Sequence, residues 1–193
     1  MHLSYPQCIA SGVCGGAGSA CAPPAPNMAA CQPSCSLGYQ CGHYGCARRK
    51  ARVHGANTFT SSRYAMKHKT PNQLFMECCE NRGLPDACLA KCTFNTFTKE
   101  ALTNMYFKND ACPIQASADI QFCAAQGRDH RSCCFRNGTR VTTTLAGEKC
   151  LIFCDQRPGN VTQLDMSYLS CYDRFENMKS CFWHDIVTRM YNE

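Results

Sequence analysis

Twelve of the nineteen cysteines in this 193-residue chain fall into two sets of six with the same order. The first set has the spacing CC-x8-C-x3-C-x19-C-x10-C, and the second has CC-x15-C-x3-C-x16-C-x9-C. Because matching cysteines lie 55 to 62 residues apart, the pattern predicts an internal duplication. The chemistry that such residues offer is disulfide cross-linking. The twelve are Cys78, Cys79, Cys88, Cys92, Cys112, Cys123, Cys133, Cys134, Cys150, Cys154, Cys171 and Cys181.

The adjacent cysteines in each set constrain the elements that carry them. Cys78 and Cys79 cannot pair with each other without severe strain, and on a helix they point about 100° apart. Each adjacent pair is therefore predicted to join one helix to two neighbouring segments. Cys88 and Cys92 are four residues apart and would share one face of a helix. The sequence leaves the connectivity open, but we expect the disulfides to stay mostly within each half.

Apolar periodicity predicts helices around these cysteines. One helix is expected from Thr98 to Lys108, and an apolar stripe at helical spacing runs from Leu164 to Ile186. A break near Cys171–Asp173 would split this stripe into two helices. The segment between Arg136 and Lys149 is rich in β-branched residues and predicts an exposed loop. The predicted fold class is mainly α: a small disulfide-rich helical domain of two six-cysteine halves, with an irregular Cys/Gly/Pro-rich N-terminal arm.

Composition divides the chain into four parts. Residues 1–46 form the arm, 47–74 a basic linker, 75–188 the twelve-cysteine module and 189–193 a C-terminal tail. The arm has almost no large aliphatic residues and cannot bury a core, so it is either a knot held by disulfides or a flexible tail. It holds seven cysteines, which is an odd number. One arm thiol is therefore expected to stay free or to pair elsewhere, with an intermolecular disulfide among the options.

The cysteine content also indicates a compartment. Nearly one residue in ten is cysteine, which favours a disulfide scaffold in a secreted protein. Zinc is disfavoured because the chain has no CxxC pair and no closely spaced histidine pair, and we expect no metal and no cofactor. Two sequons predict N-glycosylation at Asn137 and Asn160. The first twenty residues lack the pattern of a signal peptide, and no apolar run is long enough to span a membrane.

Positive charge is concentrated before the module. Residues 1–76 carry seven Lys or Arg and no acidic residue. Residues 77–193 carry thirteen Lys or Arg and fourteen Asp or Glu. Several roles remain open for the run Arg48, Arg49, Lys50 and Arg52: attraction to acidic glycans or anionic lipid, proteolytic processing after Arg52, or a solvated tether. Nucleic acid is not expected, because no aromatic stacking platform accompanies these charges.

The best candidate for catalysis is Asp129-His130, four residues before Cys133. Secreted phospholipases A2 place the order CC-x-x-His-Asp on a helix, but here the order is Asp-His-x-x-CC. The alternative is structural: Asp129 would cap a helix that starts at His130. The chain lacks GxSxG, HExxH and P-loop patterns, so we expect no catalytic residues.

The complete cysteine pattern resembles the DB module, a twelve-cysteine extracellular domain abundant in roundworm proteins. The resemblance covers residues 75–188 and is supported by Gly83-Leu84-Pro85, Gly127-Arg128-Asp129-His130 and Leu151-Ile152-Phe153-Cys154-Asp155. It implies six disulfides, an extracellular setting and no established activity. The predicted function is that of a secreted interaction or structural protein of matrix, cuticle or ligand type, whose partner is an extracellular protein or an acidic matrix glycan. A secreted lipid-handling or hydrolytic protein with a site at Asp129 and His130 is the alternative.

Overall fold

A computed structural model describes residue 31 and the ranges 34–49, 69–136, 148–157 and 166–192. Over these ranges the chain is mainly helical and rich in disulfides, which confirms the predicted fold class. The two strands are β1 (Tyr39–Gly42) and β2 (Gly45–Arg48). The α-helices are α1 (Pro71–Asn81), α2 (Asp86–Leu89), α3 (Lys99–Tyr106), α4 (Ser117–Ala124), α5 (Arg131–Arg136) and α6 (Phe175–Asn192). The 3₁₀ helices are Ile114–Ala116, Glu148–Cys154 and Met166–Arg174.

Local capping explains where the first long helices begin. Thr70 and Gln73 form a reciprocal capping box at the start of α1, and Pro71 occupies the first turn, where its missing N–H costs nothing. Thr98 accepts a hydrogen bond from the backbone N–H of Ala101 and so starts α3 inside the predicted window. The capping box thus defines the start of α1, the helix that carries the first adjacent cysteine pair.

The two halves have the same disulfide connectivity. In each set of six, the first cysteine pairs with the sixth, the second with the fourth and the third with the fifth. The bonds are Cys78–Cys123, Cys79–Cys92, Cys88–Cys112, Cys133–Cys181, Cys134–Cys154 and Cys150–Cys171. The adjacent cysteines do join one helix to two segments, and all six bonds lie within a half.

One local prediction was wrong, and a second is made more specific by the structure. Helix α2 ends at Leu89, so Cys92 lies beyond it and does not share a helical face with Cys88. A four-residue helix spans little more than one turn, and Cys92, which follows it, is bonded to Cys79 of α1. The C-terminal apolar stripe changes helix type next to the predicted break: Met166–Arg174 is 3₁₀, and α6 then continues as far as Asn192, through most of the predicted tail.

A single core joins the two halves. Phe75, Phe97, Phe175 and Phe182 are essentially inaccessible to solvent, and the Phe97 and Phe175 rings meet edge to face with centroids 4.9 Å apart. Aromatic rings prefer this geometry, which brings their positive edges against negative faces. Since no disulfide among the described residues connects the halves, packing of this kind holds them together.

Part of the arm forms a hairpin that two disulfides hold together. Strands β1 and β2 pair antiparallel around the two-residue loop His43-Tyr44, and the bonds are Cys31–Cys41 and Cys35–Cys46. Gly45 has a φ of +128°, a conformation that few other residues tolerate. Of the two alternatives for the arm, the structure therefore shows the disulfide knot over residues 34–49. No helix in the described ranges is both long and apolar enough to cross a bilayer.

Candidate functional site

The Asp129-His130 dipeptide lies at the N-terminus of α5, beside the 3₁₀ helix Glu148–Cys154. Helix α5 begins at Arg131, one residue later than expected. The Asp129 carboxylate accepts a hydrogen bond from the backbone N–H of Arg131 at 3.0 Å, so it satisfies an amide of the first turn as the structural alternative proposes. The Asp129 side chain remains partly exposed.

A short antiparallel bridge pairs Asp129 with Asp155. The backbone N–H of His130 donates to the carbonyl of Cys154 at 2.7 Å, and the N–H of Gln156 donates to the carbonyl of Arg128 at 3.0 Å. The two bonds run in opposite directions across the bridge. The segments Asp129-His130-Arg131 and Asp155-Gln156-Arg157 consequently face each other with approximate local two-fold symmetry.

Side chains repeat this symmetry as a network of two aspartates and two arginines. Arg131 contacts Asp129 at 2.7 Å, and Arg157 contacts Asp155 at 2.7 Å. Cross contacts complete the network, with Arg157 3.6 Å from Asp129 and Arg131 3.5 Å from Asp155. Hydrogen bonding from the Arg131 guanidinium holds the pKa of Asp129 at about 2. We call these four residues the Asp–Arg network.

The His130 ring lies on the other side of the chain from this network. It is buried, with 5% of the residue exposed, and it packs edge to face on Phe182 of α6 with centroids 4.9 Å apart. Its Nε2 lies 3.4 Å from the carboxylate of Asp185, which Arg128 and Arg189 also contact. Neither ring nitrogen makes a hydrogen bond. Burial lowers the pKa of His130, which favours the neutral ring.

These positions separate the two side chains of the candidate catalytic pair. A general base must lie within hydrogen-bond reach of the group it serves. The Asp129 carboxylate contacts Arg131 and Arg157, whereas the His130 ring faces Asp185 and Phe182. In this arrangement the dipeptide fastens α5 to the segment ending at Arg157 on one side and to α6 on the other.

Comparison with known proteins bears on the whole cysteine framework. The family model for the DB module matches residues 78–182, more than half of the chain. The chain belongs to the DB module family. No curated protein and no solved structure matches the chain. The DB module is an extracellular cysteine-rich domain, so the match agrees with the disulfide-bonded scaffold described above.

Three residues of the DB module to which the sequence assigned no role lie at contacts between elements. Asp155 completes the Asp–Arg network, Asp185 binds α6 to the start of α5, and Lys179 joins α6 to the first half. The repeated Asp-x-Arg tripeptide was the available signal for the network. No local signal marks the contacts of Lys179 with the first half, because these partners are backbone carbonyls more than eighty residues away.

Only some of the other predicted site residues lie within the described ranges. Arg48 Nε lies 3.0 Å from Asp86, and Arg49 donates to the carbonyl of Tyr39 at 3.0 Å. Lys50, the predicted processing residue Arg52 and the predicted glycosylation residues Asn137 and Asn160 lie outside the described residues, and their roles stay predictions. Most of the predicted loop between Arg136 and Lys149 lies outside them as well.

One group of sulfur atoms in the hairpin has spacing compatible with a metal ion. The Sγ atoms of Cys31, Cys35 and Cys46 lie within 4.8 Å of one another. All three belong to disulfides, and a metal binds thiolate rather than disulfide sulfur. The proximity is explained by the two disulfides lying side by side.

Proposed function

We propose that the protein is a secreted, non-catalytic binding or structural protein whose DB module serves as a rigid scaffold. The observation that carries this proposal is the separation of Asp129 from His130, the best catalytic candidate in the sequence. Their side chains serve the Asp–Arg network and the packing against Phe182. The disulfides support an oxidising, extracellular setting.

The hydrolytic alternative requires His130 to act on a substrate. A ring that is 5% exposed, has a lowered pKa and packs on Phe182 is poorly placed to meet a substrate in this conformation. We therefore assign His130 to packing. Replacement by leucine fills a similar space, so the variant should leave the secreted protein and its binding unchanged. Loss of a measured lipase or esterase turnover in a folded His130→Leu variant would replace this proposal with the hydrolytic one.

The basic segment next to the hairpin is the proposed contact with acidic matrix glycans. Arg48 is engaged with Asp86, so the charges available for this contact are Arg49, Lys50 and Arg52. Exposed charges act over about a nanometre at 0.1 M salt, and a cluster attracts a polyanion more strongly than dispersed charges do. Cleavage after Arg52 would divide this cluster from the module.

The test measures retention on an immobilised sulfated polysaccharide in a salt gradient. The Arg49→Gln/Lys50→Gln/Arg52→Gln variant should elute at lower salt than the unaltered protein. Its matched control, Lys108→Gln/Arg136→Gln/Arg174→Gln, removes the same net charge at exposed positions of the module. Equal shifts in both variants would show that net charge alone governs retention, and would contradict a specific role of the basic segment.

A further inference from the structure

The N-terminal hairpin, residues 34–49, and the DB module are cross-linked separately. The hairpin disulfides, Cys31–Cys41 and Cys35–Cys46, join the arm only to itself. The twelve module cysteines are all consumed in pairs among themselves. The covalent connection between hairpin and module is therefore the peptide chain of residues 50–68, and their mutual position depends on non-covalent contacts.

The first contact is made by a half-buried tyrosine at the loop of the hairpin. The Tyr44 hydroxyl donates to the Asp119 carboxylate at 2.7 Å, and its ring packs against the module core. Asp119 is itself buried and also accepts from Arg82. Burial and the adjacent carboxylate raise the pKa of Tyr44 well above its usual range, so the hydroxyl stays a donor. Hydrogen bonds to a charged acceptor are the stronger kind.

The second contact lies at the strand ends of the hairpin. The Tyr39 hydroxyl donates to the Asp86 carboxylate at 2.6 Å, and Arg48 Nε lies 3.0 Å from the same carboxylate. Hydrogen bonding from Tyr39 lowers the pKa of Asp86, which keeps this acceptor ionised. Between the two contacts Gly42 approaches the module so closely that a Cβ there would lie 3.3 Å from the Gly83 carbonyl oxygen. The fit thus combines two tyrosine anchors with a close backbone approach.

We propose that the module face formed by Arg82, Asp86 and Asp119 is a receptor for a tyrosine-bearing hairpin, and that the hairpin stays bound to it as a separate chain when the linker is cut. While the linker is intact, binding is intramolecular and strongly favoured by effective concentration. After a cut, the contacts alone retain the hairpin. The cut protein would then consist of two chains held together by these contacts.

The experiment places a site-specific protease sequence at residues 55–60 of the full-length protein and cuts it without reductant. We expect the two fragments to elute as one species at micromolar concentration and to separate on a denaturing gel. Dilution then gives their dissociation constant. Tyr39→Phe and Tyr44→Phe should each raise it about ten-fold or more, because each removes one hydrogen bond to a carboxylate. Tyr106→Phe is the matched control: this exposed tyrosine on α3 contacts the Phe107 ring, and its loss should change nothing.

Two results would overturn the proposal. Separation of the cut, unaltered protein at micromolar concentration would show that the contacts cannot retain the hairpin. Retention that neither tyrosine variant weakens would show that Asp86 and Asp119 do not anchor it. Near-ultraviolet circular dichroism of the uncut variants verifies that the module is folded in each case. Because the cut is engineered, the outcome is independent of whether Arg52 is a natural processing site and of whether the basic segment binds glycans.

Discussion

The ammonium of Lys179 lies 2.7 Å from the carbonyl oxygen of Phe97, across the junction of the two cysteine halves. It also donates to the carbonyl of Phe94 at 2.9 Å and contacts Glu176 at 2.9 Å. A lysine that is almost fully buried must have its donors satisfied, and these three acceptors do so. The halves lack a connecting disulfide among the described residues, so this cation contributes directly to their alignment.

Replacing Lys179 with methionine keeps the length of the side chain and removes its charge. The variant leaves two carbonyl groups without a partner at the junction, and we expect the free energy of unfolding to fall by about 2 kcal/mol or more. Lys99→Met is the control, because Lys99 forms an exposed ion pair with Asp173, and such pairs are worth about 0–1 kcal/mol. Denaturant unfolding with the disulfides intact measures the free energy of unfolding of both variants. Equal effects of the two changes would contradict the role given to Lys179.

The Asp–Arg network makes stability depend on acid pH. The folded-state pKa of Asp129 is about 2, below its ordinary value of 3.8, so the ionised form is favoured by folding. The resulting stability is fully present above pH 3.8 and is lost as the pH falls towards 2. Asp129→Asn should cost about 1 kcal/mol at neutral pH and little at pH 2. Asp173→Asn, at an exposed ion pair, is the control. A loss that is the same at both pH values would argue against an ionic contribution of Asp129.

How far the sequence predicts this molecule depends on whether a feature is local or repeated. The repetition of the cysteine order of residues 78–123 in residues 133–181 follows from spacing, and the helix α3 within the window Thr98 to Lys108 follows from apolar periodicity. The connectivity does not, because adjacent cysteines are equivalent in sequence and only the packed helices distinguish them. The burial of His130 against Phe182 could not be predicted from the sequence either, because this contact joins residues that are far apart in the chain.

Burial of His130 gives a prediction near neutral pH. Its pKa lies below the ordinary 6.5, so protonation is easier in the unfolded chain. The contribution of the neutral ring is fully present above pH 6.5, and stability is lost as the pH falls from there towards the folded-state pKa. His130→Leu should remove this part of the pH dependence and keep neutral-pH stability within about 1 kcal/mol, whereas His130→Ala should cost about 2 kcal/mol by leaving a cavity. His184→Gln, at an exposed neighbour on α6, is the control. An unchanged pH profile in His130→Leu would show that His130 does not cause it.

The disulfides in the structure narrow the position of the unpaired arm cysteine. The chain has nineteen, and eight disulfides account for all sixteen that the structure describes. Cys8, Cys14 and Cys21 are the remaining three, so at least one of them has no partner among these nineteen. We expect the protein purified without reductant to show either one alkylatable thiol or a disulfide-linked dimer.

A variant with Cys8, Cys14 and Cys21 all replaced by serine separates this prediction from scrambling within the module. It should show no alkylatable thiol and no covalent dimer, while the thermal stability stays unchanged because the eight disulfides remain. Cys133→Ser is the positive control: it leaves Cys181 without its partner, so one new thiol should be labelled within the peptide containing residue 181. Mass spectrometry after alkylation reads out each case. Labelling of any module cysteine in the unaltered protein would contradict the pairing scheme on which the two-half architecture is based.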